Sequence, residues 1–159
     1  MTFPGLSVFR WLAHSPLNAA MNKSVWAFAV IEMGHLVALA VLGGASLVLS
    51  LRVIGIWLKD VEATAVARSL RPVLAISLGV LILSGLLLLS SAPLKYYFNV
   101  AFRAKMLLLL LALASNLAML LLIDRPAAVA SKAALPALAA LSLLLWLGVG
   151  VCGRLIGLI

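Results

Sequence analysis

Apolar residues fall in four long runs, at about 25–51, 73–92, 98–123 and 133–151, each separated from the next by charge, proline or both. Crossing about 30 Å of hydrocarbon takes roughly 20 helical residues, so every run is long enough to span a bilayer as a helix. Pro72 stands where the second run opens, a position at which a helix tolerates a missing N–H, and Pro93 closes it. Asp124, Arg125 and Pro126 stop the third run with charge and a helix breaker, and Pro136 falls in the first turns of the fourth. Between and before the runs the pattern changes. Over 6–21, Phe9, Leu12 and Ala13 are spaced i, i+3, i+4, and Leu17, Ala20 and Met21 repeat that spacing. This predicts a short amphipathic segment on the membrane surface, bent at Pro16. Over 59–70, helix formers and mixed charge predict a second in-plane helix. Trp11, Trp26, Trp57, Tyr96 and Tyr97 lie near the ends of the runs, as interfacial aromatic belts do. The expected fold is all-α: an integral membrane four-helix bundle with short interfacial amphipathic helices, a single transmembrane domain over 1–159.

Composition agrees with the pattern. Hydrophobic residues make up 66% of the 159 and charged residues 10%, against roughly 45–50% and 25% in soluble domains, so the excess has to face lipid. The net charge of +8 would raise nucleic-acid binding in a soluble chain. Here the basic residues sit in short segments between apolar runs, where anionic head groups are the simpler partner, and no nucleic acid is expected. Arg10, Lys23, Lys95, Arg103, Lys105 and Arg154 fall on one side of the membrane, and Arg52, Lys59, Arg68, Arg71, Arg125 and Lys132 on the other. With the two sides equal, the Lys/Arg rule does not set the orientation. The single cysteine, Cys152, excludes an internal disulfide and any cysteine-based metal site. The first 24 residues have no apolar core of signal-peptide length and are expected to be retained.

Ionisable groups at bilayer depth cost roughly 2.5–3.5 kcal/mol each on insertion scales and usually have a task. The first run carries Glu32 and His35, spaced i and i+3 and so on one helical face. Counting about 1.5 Å per residue from Val25 puts Glu32 about 10 Å in and His35 about 15 Å, near the midplane. The same arithmetic places Ser84, Asn116, Ser142 and Trp146 within about 6 Å of that layer. Arg103 and Lys105 enter from the side of Glu32, which is expected to pair with one of them. Three roles are open to His35: axial haem ligand, proton relay with Glu32, or interhelical hydrogen bonding to Asn116 or a serine. As a metal site, His35 needs a second ligand from Met106, Met119, a lysine or a second copy, or a five-coordinate iron, since His14 lies in the surface segment. Arg103 and Lys105 suit lipid phosphate or a haem propionate, and Asn116 suits interhelical bonding. Gly43, Gly44, Gly148 and Gly150 are expected to allow close helix approach. No Gly-rich phosphate loop, Cys/His metal spacing or Ser-His-Asp ordering occurs, so no catalytic residue is assigned.

The stretches SVWAFAVIEMGHLVALAVLGGASLVLSLRVIG and YYFNVAFRAKMLLLLLALASNLAML resemble a bacterial family of small four-span membrane proteins of unknown function. The resemblance rests on Trp26, Glu32, His35, Gly43, Arg52, Gly55, Tyr97, Asn99, Phe102, Arg103, Lys105 and Asn116. Ser50 stands where the family pattern has Asp, which removes a partner for Arg52. That family is distantly similar to copper-resistance-D-like and HemJ-like proteins. The similarity implies haem b at His35, with Glu32, Arg103, Lys105 and Asn116 around it.

The expectation is therefore a small b-type-cytochrome-like electron-transfer protein of the bacterial inner membrane, multi-pass, with lipid around it and quinone as a candidate partner. It is expected to be a homo-oligomer or a subunit of a larger membrane complex. Two alternatives stand beside it: a non-catalytic accessory subunit of such a complex, and a small proton-coupled transporter component.

Overall fold

The computed structural model describes residues 6–124 and 134–157. Arg125, Pro126, Lys132, the first residue of the fourth run and the last two residues of the chain lie outside them. The described residues form seven helices: α1 (Leu6–Ala13), α2 (Pro16–Lys23), α3 (Val25–Ile54), α4 (Ala63–Ser91), α5 (Pro93–Phe98), α6 (Val100–Ile123) and α7 (Ala134–Leu155). The long four, α3, α4, α6 and α7, are apolar and long enough to cross a membrane. This is an all-α, multi-pass membrane bundle, and its outer surface is leucine- and valine-rich because lipid is its solvent.

The amphipathic start is two helices, not one bent segment. Ser15 ends α1 and caps α2, its Oγ accepting from the Asn18 N–H at 3.2 Å, and Pro16 occupies the first turn. Asn18 Nδ2 then donates to the Ser90 and Ser91 carbonyls at 2.7 and 3.1 Å, and Asn22 Nδ2 to Ser91 at 3.1 Å. These bonds satisfy carbonyls that the end of α4 leaves open, and so they fasten α2 to the bundle. The Phe9 ring packs on Tyr97 at 5.0 Å and ties α1 to α5.

In the second run the pattern misleads. Residues 63–70, expected as part of a separate in-plane helix, are the first turns of α4, and Pro72 lies inside that helix rather than at its start. Val66 and Ala67 explain the continuity: they are buried against Leu49, Met119, Ile123 and Ala139, and that packing holds the segment helical through the proline. With 29 residues, α4 is about 43 Å long, so its first turns extend beyond the hydrocarbon. The third run is also divided. Asn99 interrupts it, with Oδ1 accepting from the Phe102 N–H at 3.0 Å to cap α6, while 93–98 form the separate α5. At the end of α3, Gly55 takes the left-handed conformation (φ 84°) and bonds back to Leu51 and Arg52. Arg52, with serine at position 50, donates instead to the Val61 carbonyl across the loop.

Packing runs α4–α3–α7–α6 around the bundle, and α4 and α6, which would close the ring, barely touch. Neighbours are antiparallel: Lys105, Leu108 and Asn116 descend α6 as their contacts Gly153, Gly148 and Ser142 climb back along α7. Small residues dominate the interior. Ala38, Ala45, Ala67, Ala112, Ala139 and seven serines are buried, which lets backbones approach where lipid provides no hydrophobic drive for association. Among the expected glycine contacts, Gly43 meets the Trp146 ring and Gly148 meets Leu108, whereas Gly44 and Gly150 face open space.

Candidate functional site

His35 projects from α3 toward α4, half-buried, with Nδ1 2.9 Å from Ser84 Oγ. Ser84 carries one hydroxyl hydrogen, and that hydrogen is directed to the Val80 carbonyl at 2.6 Å. With that hydrogen committed along the helix, the Ser84 oxygen can accept from the imidazole, the arrangement in which the ring proton sits on Nδ1. In that tautomer Nε2 keeps its lone pair. Gly85 makes this approach possible: a Cβ there would stand 3.3 Å from His35 Cε1.

Lys105 enters from α6. It is half-buried, within electrostatic reach of His35, and its Nζ would be 3.5 Å from a Cβ at Gly153 of α7. That glycine leaves the ammonium room between the helices. No carboxylate pairs with Lys105 among the described residues, where the ion pair is Arg71–Asp124 at the opposite membrane face.

Glu32 and Arg103 do not behave as the spacing suggested. Both are exposed, and neither Arg103 nor Lys105 bridges to Glu32 among the described residues. The reason is the packing order, since α3 and α6 sit diagonally across the bundle and charges at equal depth on them need not converge. Glu32 instead acts on Tyr96 of α5. Burial raises the Tyr96 phenol above its usual pKa, a hydrogen bond with Ser91 opposes the rise, and the Glu32 charge adds to it.

Asn116 belongs elsewhere. Its Nδ2 donates to Ser46 Oγ at 2.5 Å and its Oδ1 accepts from Ser142 Oγ at 2.9 Å, while Ser46 donates to the Leu42 carbonyl. All three side chains are buried, and they tie α3, α6 and α7 together. Ser46 is eleven residues beyond His35, about 16 Å along α3, so the single polar layer expected at mid-depth is two layers. Trp146 packs on Gly43 between them, with its indole N–H unpartnered; the Ser50 hydroxyl is likewise buried without a partner.

The candidate second ligands do not gather at His35. Met119 is fully buried in the far cluster with Leu49 and Ile123, Met106 is turned outward, and His14 is exposed on the surface segment. No three of His, Cys, Asp and Glu come together to hold a metal among the described residues. The site is thus His35, Ser84 and Lys105, with Gly85 and Gly153 shaping it and Glu32 and Tyr96 toward the α1–α2 face. Ser84 lay within the expected layer, but Gly85, Gly153 and Tyr96 were missed. Only the pairing of helices assigns a glycine in a leucine run to a neighbour's imidazole or ammonium.

No curated protein and no solved structure matches this chain. A family model does match, over residues 9–159, described as a family of unknown function (DUF6644). That span takes in most of α1, all of α2, all four membrane helices and every residue of the site, and the chain belongs to DUF6644.

Proposed function

We propose that the protein is a small b-type-cytochrome-like electron carrier of the bacterial inner membrane, with His35 as an axial ligand of haem b and quinone as its exchange partner. The observation that carries this reading is the 2.9 Å contact of His35 Nδ1 with Ser84 Oγ, a hydroxyl that donates to Val80; a proton on Nδ1 would leave Nε2 as the donor atom. Histidines that ligate metals are held in this way, with the second ring nitrogen donating to an acceptor that orients the ring.

The surrounding residues fit the group. A bare ion at His35 would lack ligands, whereas a macrocycle brings four nitrogens of its own. Lys105, without a carboxylate partner among the described residues, suits a propionate, and Arg103 suits a second one nearer the interface. Haem b, when bound, supplies an iron that accepts and returns one electron. The chain's own part is to hold the ring plane through Ser84 and to place positive charge beside carboxylates. Glu32 and Tyr96 lie within electrostatic reach of each other toward the α1–α2 face.

A second reading rests on Glu32. An exposed carboxylate about 10 Å into a span is costly against lipid, and a neighbouring chain that offered it a cation would remove the cost. In that reading the protein is an accessory subunit of a larger membrane complex.

Absorbance of protein purified after expression with ample haem supply separates the two. The cytochrome reading expects a Soret band that shifts on dithionite reduction, is lost in His35→Ala and persists in Arg68→Gln at the far face. A colourless wild-type preparation refutes it, and a stoichiometric co-purifying membrane protein then supports the accessory-subunit reading.

A further inference from the structure

The thin contact between α4 and α6 leaves a groove of about 390 Å³ that opens sideways toward the bilayer. Leu74 and Leu78 of α4 form one wall, Leu113 of α6 forms the other, and Leu42 of α3 lies at the floor with Asn116. At the end nearest the α3–α4 loop stands Arg71, and Arg68 follows one turn farther out, exposed and without a carboxylate partner among the described residues. From Arg71 to Leu78 the groove runs about 10 Å along α4, from head-group depth into the hydrocarbon. It is also distinct from the His35 site: Ser84 lies thirteen residues beyond Arg71 on α4, about 20 Å away.

We infer that this groove holds one acyl chain of an anionic phospholipid whose phosphate sits on Arg68 and Arg71. The two halves of the ligand match the two halves of the site. A hydrocarbon chain replaces the α6 contacts that α4 lacks, and the head group meets two cations at the depth where phosphates lie. The Asp124 carboxylate already bridges from α6 to Arg71 at this mouth. It engages Nη2 of Arg71 and leaves the remaining donors of that guanidinium and the whole of Arg68 open. A neutral lipid would fill the leucine-lined part equally well but would leave Arg68 unused.

The test is retention of phosphatidylglycerol against phosphatidylcholine of identical chains, read by native mass spectrometry of the detergent-purified full chain. The wild type is expected to keep one phosphatidylglycerol in preference to phosphatidylcholine. Arg68→Gln is expected to cut that preference about fivefold, the effect of one surface cation. Arg68 has no partner to lose, so this variant does not threaten folding. Asp124→Asn breaks the ion pair but keeps both arginines, and is expected to hold or increase the preference. Ala114→Trp, which fills the groove, is expected to displace both lipids. Equal retention of the two lipids by the wild type, or an undiminished preference in Arg68→Gln, overturns the proposal. Haem content does not enter the measurement, so it stands or falls apart from the function proposed for His35.

Discussion

The tautomer of His35 can be tested without any assumption about a cofactor. Ser84→Ala removes the hydroxyl oxygen that would hold the proton on Nδ1 and leaves the Val80 carbonyl, an ordinary helical acceptor, undisturbed. A neutral hydrogen bond contributes about 1 kcal/mol net in a folded protein. Interhelical bonds in membranes average nearer about 0.6 kcal/mol. The change in tautomer ratio on losing the bond is thus between about threefold and fivefold, toward Nε2–H. Nitrogen-15 NMR of histidine-labelled protein in lipid resolves protonated from bare ring nitrogens. His14→Gln removes the other imidazole from the spectrum without touching the bundle, because His14 is exposed at the end of α1. Wild-type protein should show mainly Nδ1–H, and Ser84→Ala should shift the ratio by that factor. A wild type dominated by Nε2–H, or a ratio indifferent to Ser84→Ala, would refute the hydrogen-bond argument and the ligand role built on it.

Two further outcomes follow from the buried network and from the α1–α2 face. Asn116→Ala is expected to destabilise the bundle by about 1–2 kcal/mol, since it breaks two interhelical bonds. A double-mutant cycle with Ser46→Ala should show a coupling of about 0.6 kcal/mol in detergent unfolding, and strict additivity would mean that the bond is not made. Tyr96 should ionise above the ordinary tyrosine range in an ultraviolet titration of Tyr97→Phe protein, and Glu32→Gln should bring it down, because that charge disfavours the tyrosinate. The folded pKa lies above the unfolded one, so the folded chain keeps its proton longer. Stability is accordingly lost as pH rises through and above 10.

Glu32 and His35 share a helical face, as their spacing requires, yet they do not share an environment. His35 meets α4 across a glycine, while Glu32, one turn nearer the surface, is exposed beside Tyr96. Periodicity assigns residues to a face of their own helix and is silent about which helix lies opposite. The Asn116 network illustrates the same gap. Depth arithmetic put Asn116 near His35 because it assumed equal starting points for every span, but α3 alone has 30 residues and α6 has 24. A few residues of offset is enough to move a polar layer by one or two turns. Continuity of α4 through Pro72 was hidden for a different reason. Local propensity ends or kinks a helix at proline, and only the burial of Val66 and Ala67 against three other helices outweighs it.

From the residues alone came the all-α membrane architecture, the four spans and the amphipathic surface segment. Each depends on a requirement any bilayer imposes, that apolar runs of sufficient length satisfy their own backbone hydrogen bonds as helices. The order of packing was decided only in three dimensions. It set α3 between α4 and α7, brought Ser84 to His35 and Gly153 to Lys105, parted Glu32 from Arg103, and left a groove between α4 and α6. Leucine-rich helices in lipid have no hydrophobic preference among neighbours, so the positions of small and polar residues on facing surfaces choose the partners. Those faces exist only once the helices have met.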